Sequence, residues 1–144
     1  MATQLQVVID CARPGALSEF WAAALGYKIQ DPPAGYDTWE DFLRAQDVPE
    51  SQFDSASAVV DPDGMGPRIY FQQVPEKKSI KNRVHLDLNV GGGRETPADE
   101  RIARVRNEVQ RLAGLGATAL NEVEENGEFH TVMRDPEGNE FCVQ

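Results

Sequence analysis

The segment Asn82-Arg83-Val84-His85-Leu86-Asp87-Leu88-Asn89-Val90 alternates apolar and polar residues along its length. Successive side chains of an extended strand point to opposite faces, so Val84, Leu86, Leu88 and Val90 share one face and His85, Asp87 and Asn89 share the other. An imidazole, a carboxylate and an amide aimed the same way can hold a divalent ion, act as a base with an orienting acid, or bind a polar ligand. The plainer alternative is a His85–Asp87 hydrogen bond that serves only the strand. His130 and Arg134 share a face of a later strand, where they would meet an anionic ligand or form part of a rim.

Positioning such groups takes a frame, and the chain supplies one. Leu5 to Cys11 reads as a strand with Leu5, Val7, Ile9 and Cys11 on one side and Gln6, Val8 and Asp10 on the other. Pro14 suits a first helical position, and Leu17, Phe20, Trp21, Ala24 and Leu25 then recur at helical spacing before Gly26. Tyr27 to Gln30 reads as a short strand. Thr38 to Gln46 reads as a short inserted helix, capped by Thr38 with Asp41 three residues on. Its Trp39 and Phe42 are available as an aromatic wall over a ligand or as a subunit contact. Ser55 to Val60 and Arg68 to Val74 are strands joined through Asp61-Pro62-Asp63-Gly64, with Ile69 and Phe71 facing one way and Tyr70 and Gln72 the other.

After the opening segment, Thr96-Pro97-Ala98-Asp99 predicts a Thr-capped helix start, with Ile102, Val105, Val109 and Leu112 as the buried stripe. Thr118 to Asn121 is a short strand, and Glu122 to Gly127 reads as an acidic loop. Phe129 to Arg134 and Asn139 to Gln144 are strands around Asp135-Pro136-Glu137-Gly138.

The order strand, helix, strand, strand, strand therefore occurs twice, an internal repeat spanning about 4–75 and about 82–144. Its landmarks are Leu25-Gly26-Tyr27 against Leu115-Gly116-Ala117 and Asp61-Pro62-Asp63-Gly64 against Asp135-Pro136-Glu137-Gly138. Neither half carries apolar surface enough to stand comfortably alone. The expectation is one domain over 1–144, α+β, with two tandem βαβββ modules forming a shared curved mixed sheet, helices outside and a concave ligand cavity inside.

Composition narrows the partners. A net charge of −10 argues against a phosphate-backbone partner, so nucleic acid is not expected. No apolar stretch approaches the roughly 18 residues of a membrane span, and no secretory leader opens the chain; a cytoplasmic protein is expected. Cys11 and Cys142 lack zinc-type spacing and read as two reduced thiols.

The doubled βαβββ order, Glu19-Phe20-Trp21 followed by Leu25-Gly26-Tyr27, and Asp135-Pro136-Glu137-Gly138-Asn139 before the last strand together resemble the vicinal oxygen chelate superfamily. That superfamily holds glyoxalase I, extradiol dioxygenases and the bleomycin and fosfomycin resistance proteins. Tyr70-Phe71-Gln72-Gln73-Val74-Pro75-Glu76, His85-Leu86-Asp87-Leu88 and Gly138-Asn139-Glu140-Phe141-Cys142 resemble its glyoxalase-like subgroup. The resemblance implies a divalent ion held by the first and last strands of each repeat, which falls here on Gln6, His85, Cys142 and either Gln72 or Tyr70. No carboxylate stands at those four positions. Asp87 beside His85 and Glu140 beside Cys142 restore one if the register shifts, giving His85, Gln6 and Glu140 as a metal set and His85, Asp87 and Glu140 as catalytic groups.

Without that shift the donors suit Zn, Ni, Mn, Fe or Mg poorly, and a metal-free cavity is the favoured expectation. Gln6, Asp10, Trp39, Tyr70, Gln72, His130 and Cys142 then remain as contacts to a small organic ligand. Two functions follow from the resemblance: a metal-assisted lyase, isomerase or, least favoured, dioxygenase acting on vicinal oxygens, and a sequestering protein of the bleomycin-resistance kind. It also implies a homodimer.

Overall fold

The computed structural model describes residues Met1–Gln144 and divides into two compact units, Met1–Lys77 and Lys78–Gln144. The units coincide with the two repeats. In unit one, β1 (Val7–Cys11), α1 (Pro14–Leu25), β2 (Lys28–Ile29), α2 (Trp39–Ala45), β3 (Ala56–Val60) and β4 (Ile69–Gln73) follow in order. Unit two has β5 (Asp87–Leu88), α3 (Ala98–Gly114), β6 (Thr118–Glu125), β7 (Glu128–Arg134) and β8 (Glu140–Val143). Each unit has its own four-stranded mixed sheet, ordered β1-β4-β3-β2 in one and β5-β8-β7-β6 in the other. The orders are the same: the first strand lies parallel to the last, and the rest pair antiparallel. The protein is thus α+β with tandem βαβββ modules, and α2 is the extra piece of the first.

Each core is the inward side of its sheet against its helix. In unit one, α1 packs on β3 and β4 and buries Leu17, Phe20 and Trp21 with Val59, Ile69 and Phe71. In unit two, α3 packs chiefly on β7 and buries Val105 and Leu112 with Met133, Phe141 and Val143. Burial of such side chains is worth about 1.5–3 kcal/mol each. No helix is long and apolar enough to cross a membrane.

The repeated motifs build repeated geometry. At the end of α1, Tyr27 N–H donates to the Ala22 carbonyl (2.9 Å), and at the end of α3, Ala117 N–H donates to the Leu112 carbonyl (3.1 Å). A left-handed glycine sits just before the donor in both, Gly26 at φ 70° and Gly116 at φ 114°. In the Asp-Pro turns the aspartate folds back over the loop. Asp61 accepts from the N–H groups of Asp63 (2.9 Å), Met65 (3.0 Å) and Gly66 (2.7 Å), and Asp135 accepts from those of Glu137 (2.9 Å) and Asn139 (3.0 Å). The Asp63, Gly66 and Met65 bonds hold the Asp61 carboxyl below its ordinary pKa, Asp63's contributing most. The Tyr27 hydroxyl occupies the space beside Gly66, where a Cβ would lie 1.9 Å from it and would displace the ring.

Several sequence expectations are corrected. Glu122 to Glu125 belongs to β6 and not to a loop; the hairpin turn is Asn126-Gly127, both at positive φ (52° and 77°), the pair that a two-residue hairpin requires. Arg106 neutralises Glu122 through two hydrogen bonds, 2.8 and 2.9 Å, which lets the acidic run lie in a sheet. Thr96 does not cap α3, because the cap position falls on Pro97, which has no side-chain acceptor. Val84 is exposed and no core residue: the ladder of β5 covers only Asp87–Leu88. By contrast, Thr38 caps α2 as expected, accepting from Asp41 N–H at 3.1 Å.

Candidate functional site

The outward face of unit two is set by register. Asp87 on β5 lies beside Cys142 on β8, and Cys142 lies opposite Val132 on β7. Alternation from these pairs puts His85 and Asn89 on the same face as Asp87, Glu140 with Cys142, and His130 and Arg134 with Val132. Phe141, Val143, Thr131 and Met133 point the other way and are buried.

Three donors converge on that face. His85 Nδ1 lies 3.0 Å from Asp87 Oδ1, and one ligand atom each from His85, Asp87 and Cys142 all fall within 4.8 Å of one another. His85 and Asp87 are exposed, and Cys142 is half-buried. Burial pushes the Cys142 thiol above its ordinary pKa, and the neighbouring Asp87 carboxylate adds to the rise while Lys81 opposes it. A tetrahedral ion with bonds of about 2.0–2.3 Å holds its ligands about 3.5 Å apart, so capture needs closure on the order of an ångström. Imidazole, carboxylate and thiolate together fit a borderline-soft ion such as Zn²⁺ better than Mg²⁺ or Mn²⁺.

Glu140 lies on the same face but is engaged elsewhere. Its carboxylate accepts from Asn82 N–H at 3.0 Å and pairs with Lys78 Nζ at 3.2 Å, and its side chain is 11% exposed. The Asn82 bond, with further help from Lys78, lowers its pKa from 4.5 to about 2. At neutral pH it is a weak base and a strong tether for the chain entering β5. A depressed carboxyl pKa stabilises the fold fully above its unfolded value and loses that contribution as pH falls through the folded one. Glu140→Gln is therefore expected to be less stable than the parent by a margin that is constant above pH 4.5 and shrinks as pH falls toward about 2. Urea unfolding at a series of pH values checks this, and a margin independent of pH would contradict it.

The expected residues of unit one are organised around an arginine that the sequence reading did not single out. Arg68 donates from one terminal nitrogen to Gln6 Oε1 (2.7 Å) and from Nε to Gln30 Oε1 (2.7 Å), and its guanidinium carbon sits 5.2 Å from the centre of the Tyr70 ring. The Gln6 oxygen thus already serves a cation. Alternation carried a usable signal, since Arg68, Tyr70 and Gln72 are two apart on one strand face. Asp10 and Gln72 are exposed neighbours across β1 and β4. Trp39 donates its indole N–H to the Gln30 carbonyl (2.7 Å) and packs edge-on to Phe42, which fixes α2 to the end of β2.

Register also decides between Tyr70 and Gln72 as the counterpart of Cys142. Two residues after His85, Asp87 pairs with Cys142; two residues after Gln6, Val8 pairs with Tyr70. The flanking residues agree, since buried Ile69 and Phe71 then match buried Phe141 and Val143. Met65-Gly66-Pro67 lengthens the first turn and accounts for the offset.

Doubled βαβββ modules with polar first-strand and last-strand positions define the class of the vicinal oxygen chelate proteins. The chain belongs to the family described as glyoxalase-like domain, whose profile matches residues 6–144. Among solved structures it is similar to a glyoxalase/bleomycin resistance protein/dioxygenase family enzyme from Burkholderia phytofirmans PsJN, at 17% identity, TM-score 0.60 and coverage of 96% of this chain and 94% of that one. It is also similar to a possible glyoxalase from Bacillus cereus, at 14% identity, TM-score 0.61 and coverage of 100% and 99%. A third is a variant of the fosfomycin resistance protein FosX from Listeria monocytogenes, complexed with Mn(II) and 1S,2S-dihydroxypropylphosphonic acid, at 10% identity, TM-score 0.62 and coverage of 100% and 90%. At these identities the likeness is one of fold. No curated protein matches the chain.

Proposed function

We propose that the protein binds a small organic molecule bearing neighbouring oxygens at the outward face of unit two, beside a divalent ion held by His85, Asp87 and Cys142. The observation that carries this reading is the convergence of their three ligand atoms within 4.8 Å. The Mn(II) and dihydroxy compound bound by the FosX variant support it by likeness of fold. The donor types differ from what a hard ion prefers, so the reading specifies Zn²⁺ or another borderline ion.

A bound ion supplies Lewis acidity toward substrate oxygens. The residues do the rest. Asp87 orients the His85 ring, and His130 and Arg134, on the same face, offer contacts to a charged substrate group. Glu140 stays anionic and holds the incoming chain in place. The activity expected is that of a lyase or isomerase, in a cytoplasmic and homodimeric protein. On unit one, Asp10, Tyr70 and Gln72 are proposed as contacts to a ligand at that unit's own sheet face.

A metal-free reading has one observation in its favour: the His85–Asp87 hydrogen bond is complete without an ion. Titration with Co²⁺ separates the two. The expected result is one ion per chain at micromolar concentration with a thiolate-to-cobalt absorption band, and loss of that band in Cys142→Ser. No ion bound at that concentration would overturn the metal reading and leave the metal-free one standing.

A further inference from the structure

We propose that unit two carries a second small-molecule site, for a monocarboxylate with an apolar body, in a cavity beside the first half of α3. The cavity measures about 330 Å³ and is walled by the chain after β5, by α3, by the β6–β7 hairpin and by Gln144. That volume falls within the usual range for small ligands. His85, Asp87 and Cys142 are not part of its wall, so it stands apart from the site proposed above.

Arg101 is the reason to expect an anion. Of the four arginines on α3, Arg104 pairs with Glu100, Arg106 with Glu122 and Arg111 with Glu108, whereas Arg101 has no ion pair. Its Nε is buried without a hydrogen-bond partner. Arg101 is thus the one arginine of α3 that faces a cavity wall without an ion pair. The Nε is shielded as it stands, so a ligand acceptor relieves its penalty only by turning the guanidinium into the cavity, where a charge-assisted, two-pronged contact becomes available. At the start of α3, Pro97 leaves the first-turn N–H groups without a side-chain cap, and Asp99 and Glu100 in the same turn offset their field.

The rest of the wall selects the class. Ile102, Val105 and Phe129 offer an apolar surface to the body of the ligand. Glu124 and Glu128 also line the cavity and repel any anion in proportion to its charge, which disfavours phosphate and dicarboxylates more than a monocarboxylate held by Arg101. The Gly91 backbone stands beside the Arg101 stem, where a Cβ would lie in ordinary contact, 3.6 Å from Arg101 Cβ.

Benzoate, benzamide and inorganic phosphate are the probes, followed by amide chemical shifts and calorimetry on the full chain. Benzoate is expected to give saturable shifts at Gly91, Gly92, Arg101 and Phe129, with benzamide weaker by about tenfold and phosphate weaker still. Arg101→Met should weaken benzoate by about tenfold, Arg101→Lys by less, and His85→Ala not at all. Equal binding of benzoate and benzamide, phosphate as tight as benzoate, or shifts centred on His85 and Cys142 would each overturn the proposal. Should Arg101→Met fail to fold, the contrast between probes on the parent chain still decides. Since His85→Ala is expected to spare this site, failure here and failure of the metal site are read separately.

Discussion

Asp135→Ala is expected to destabilise the protein by about 3 kcal/mol, because it removes the shared acceptor of several half-buried donors. Asp135 is 3% exposed, and it accepts from Glu137 N–H, Asn139 N–H and the Asn139 side-chain amide. These bonds shape the turn that brings Glu140 and Cys142 into β8. Asp135→Asn keeps one carbonyl acceptor and should lose less. Asp61 occupies the matching turn of unit one with a similar set of bonds but in contact with solvent, so Asp61→Ala should cost clearly less than Asp135→Ala. Denaturant unfolding measures all three; a shift in midpoint with unchanged slope reports stability alone. A loss under about 1 kcal/mol for Asp135→Ala would show that the freed donors find other partners.

His85→Ala is expected to weaken metal binding by roughly 100-fold or more. Loss of a residue that merely orients a ligand costs about 10–100-fold, and loss of the ligand itself costs at least as much. Asp87 and Cys142 would remain, a pair too few to hold a borderline ion against hydration. Competition with a chelator of known affinity measures the change. His85→Gln should fall between the parent and alanine. An unchanged affinity in His85→Ala would place the ion elsewhere, while the unfolding midpoint of the metal-free variant should stay near that of the parent because His85 is exposed.

The architecture was legible in the sequence where short motifs dictate backbone geometry. Leu-Gly after a helix and Asp-Pro before a strand each occur twice, and each builds the same hydrogen bonds twice, so the repeat could be read from residues alone. Apolar periodicity likewise located Trp21, Phe71, Leu112 and Val105 in the interior. The reading lost accuracy where charge stood against geometry. Glu122 to Glu125 looked like a loop because carboxylates are rare in strands, yet Asn126-Gly127 marked the hairpin and Arg106, one helix away, supplied the countercharge.

The candidate site was legible in its parts and not in its assembly. Alternation put His85 with Asp87 and the family resemblance put His85 with Cys142, but the pairing of Asp87 with Cys142 depends on parallel strands joining residues 55 positions apart. The engagement of Glu140 by Asn82 and of Gln6 by Arg68 is equally long-range, and no local pattern encodes it. Val84 shows the opposite failure: its alternation is genuine, but an extended segment buries a face only where a neighbour covers it. Arg101 drew no notice because an arginine on a polar helix is ordinarily paired.

The brevity of β5 has a consequence for selectivity. Glu140 fastens the chain at Asn82, and the Leu86 carbonyl fastens it again by accepting from Cys142 N–H at 2.9 Å. Arg83, Val84 and His85 bridge those two fixed points outside the ladder. In the proposed metal site His85 would be a ligand on a short tether: its reach would be bounded by the anchors, and a shift of about an ångström would break no strand pairing. If the proposed centre forms, it would tolerate ions of different radius and discriminate among them by the hardness of nitrogen, oxygen and sulfur donors instead of by the size of a rigid cage.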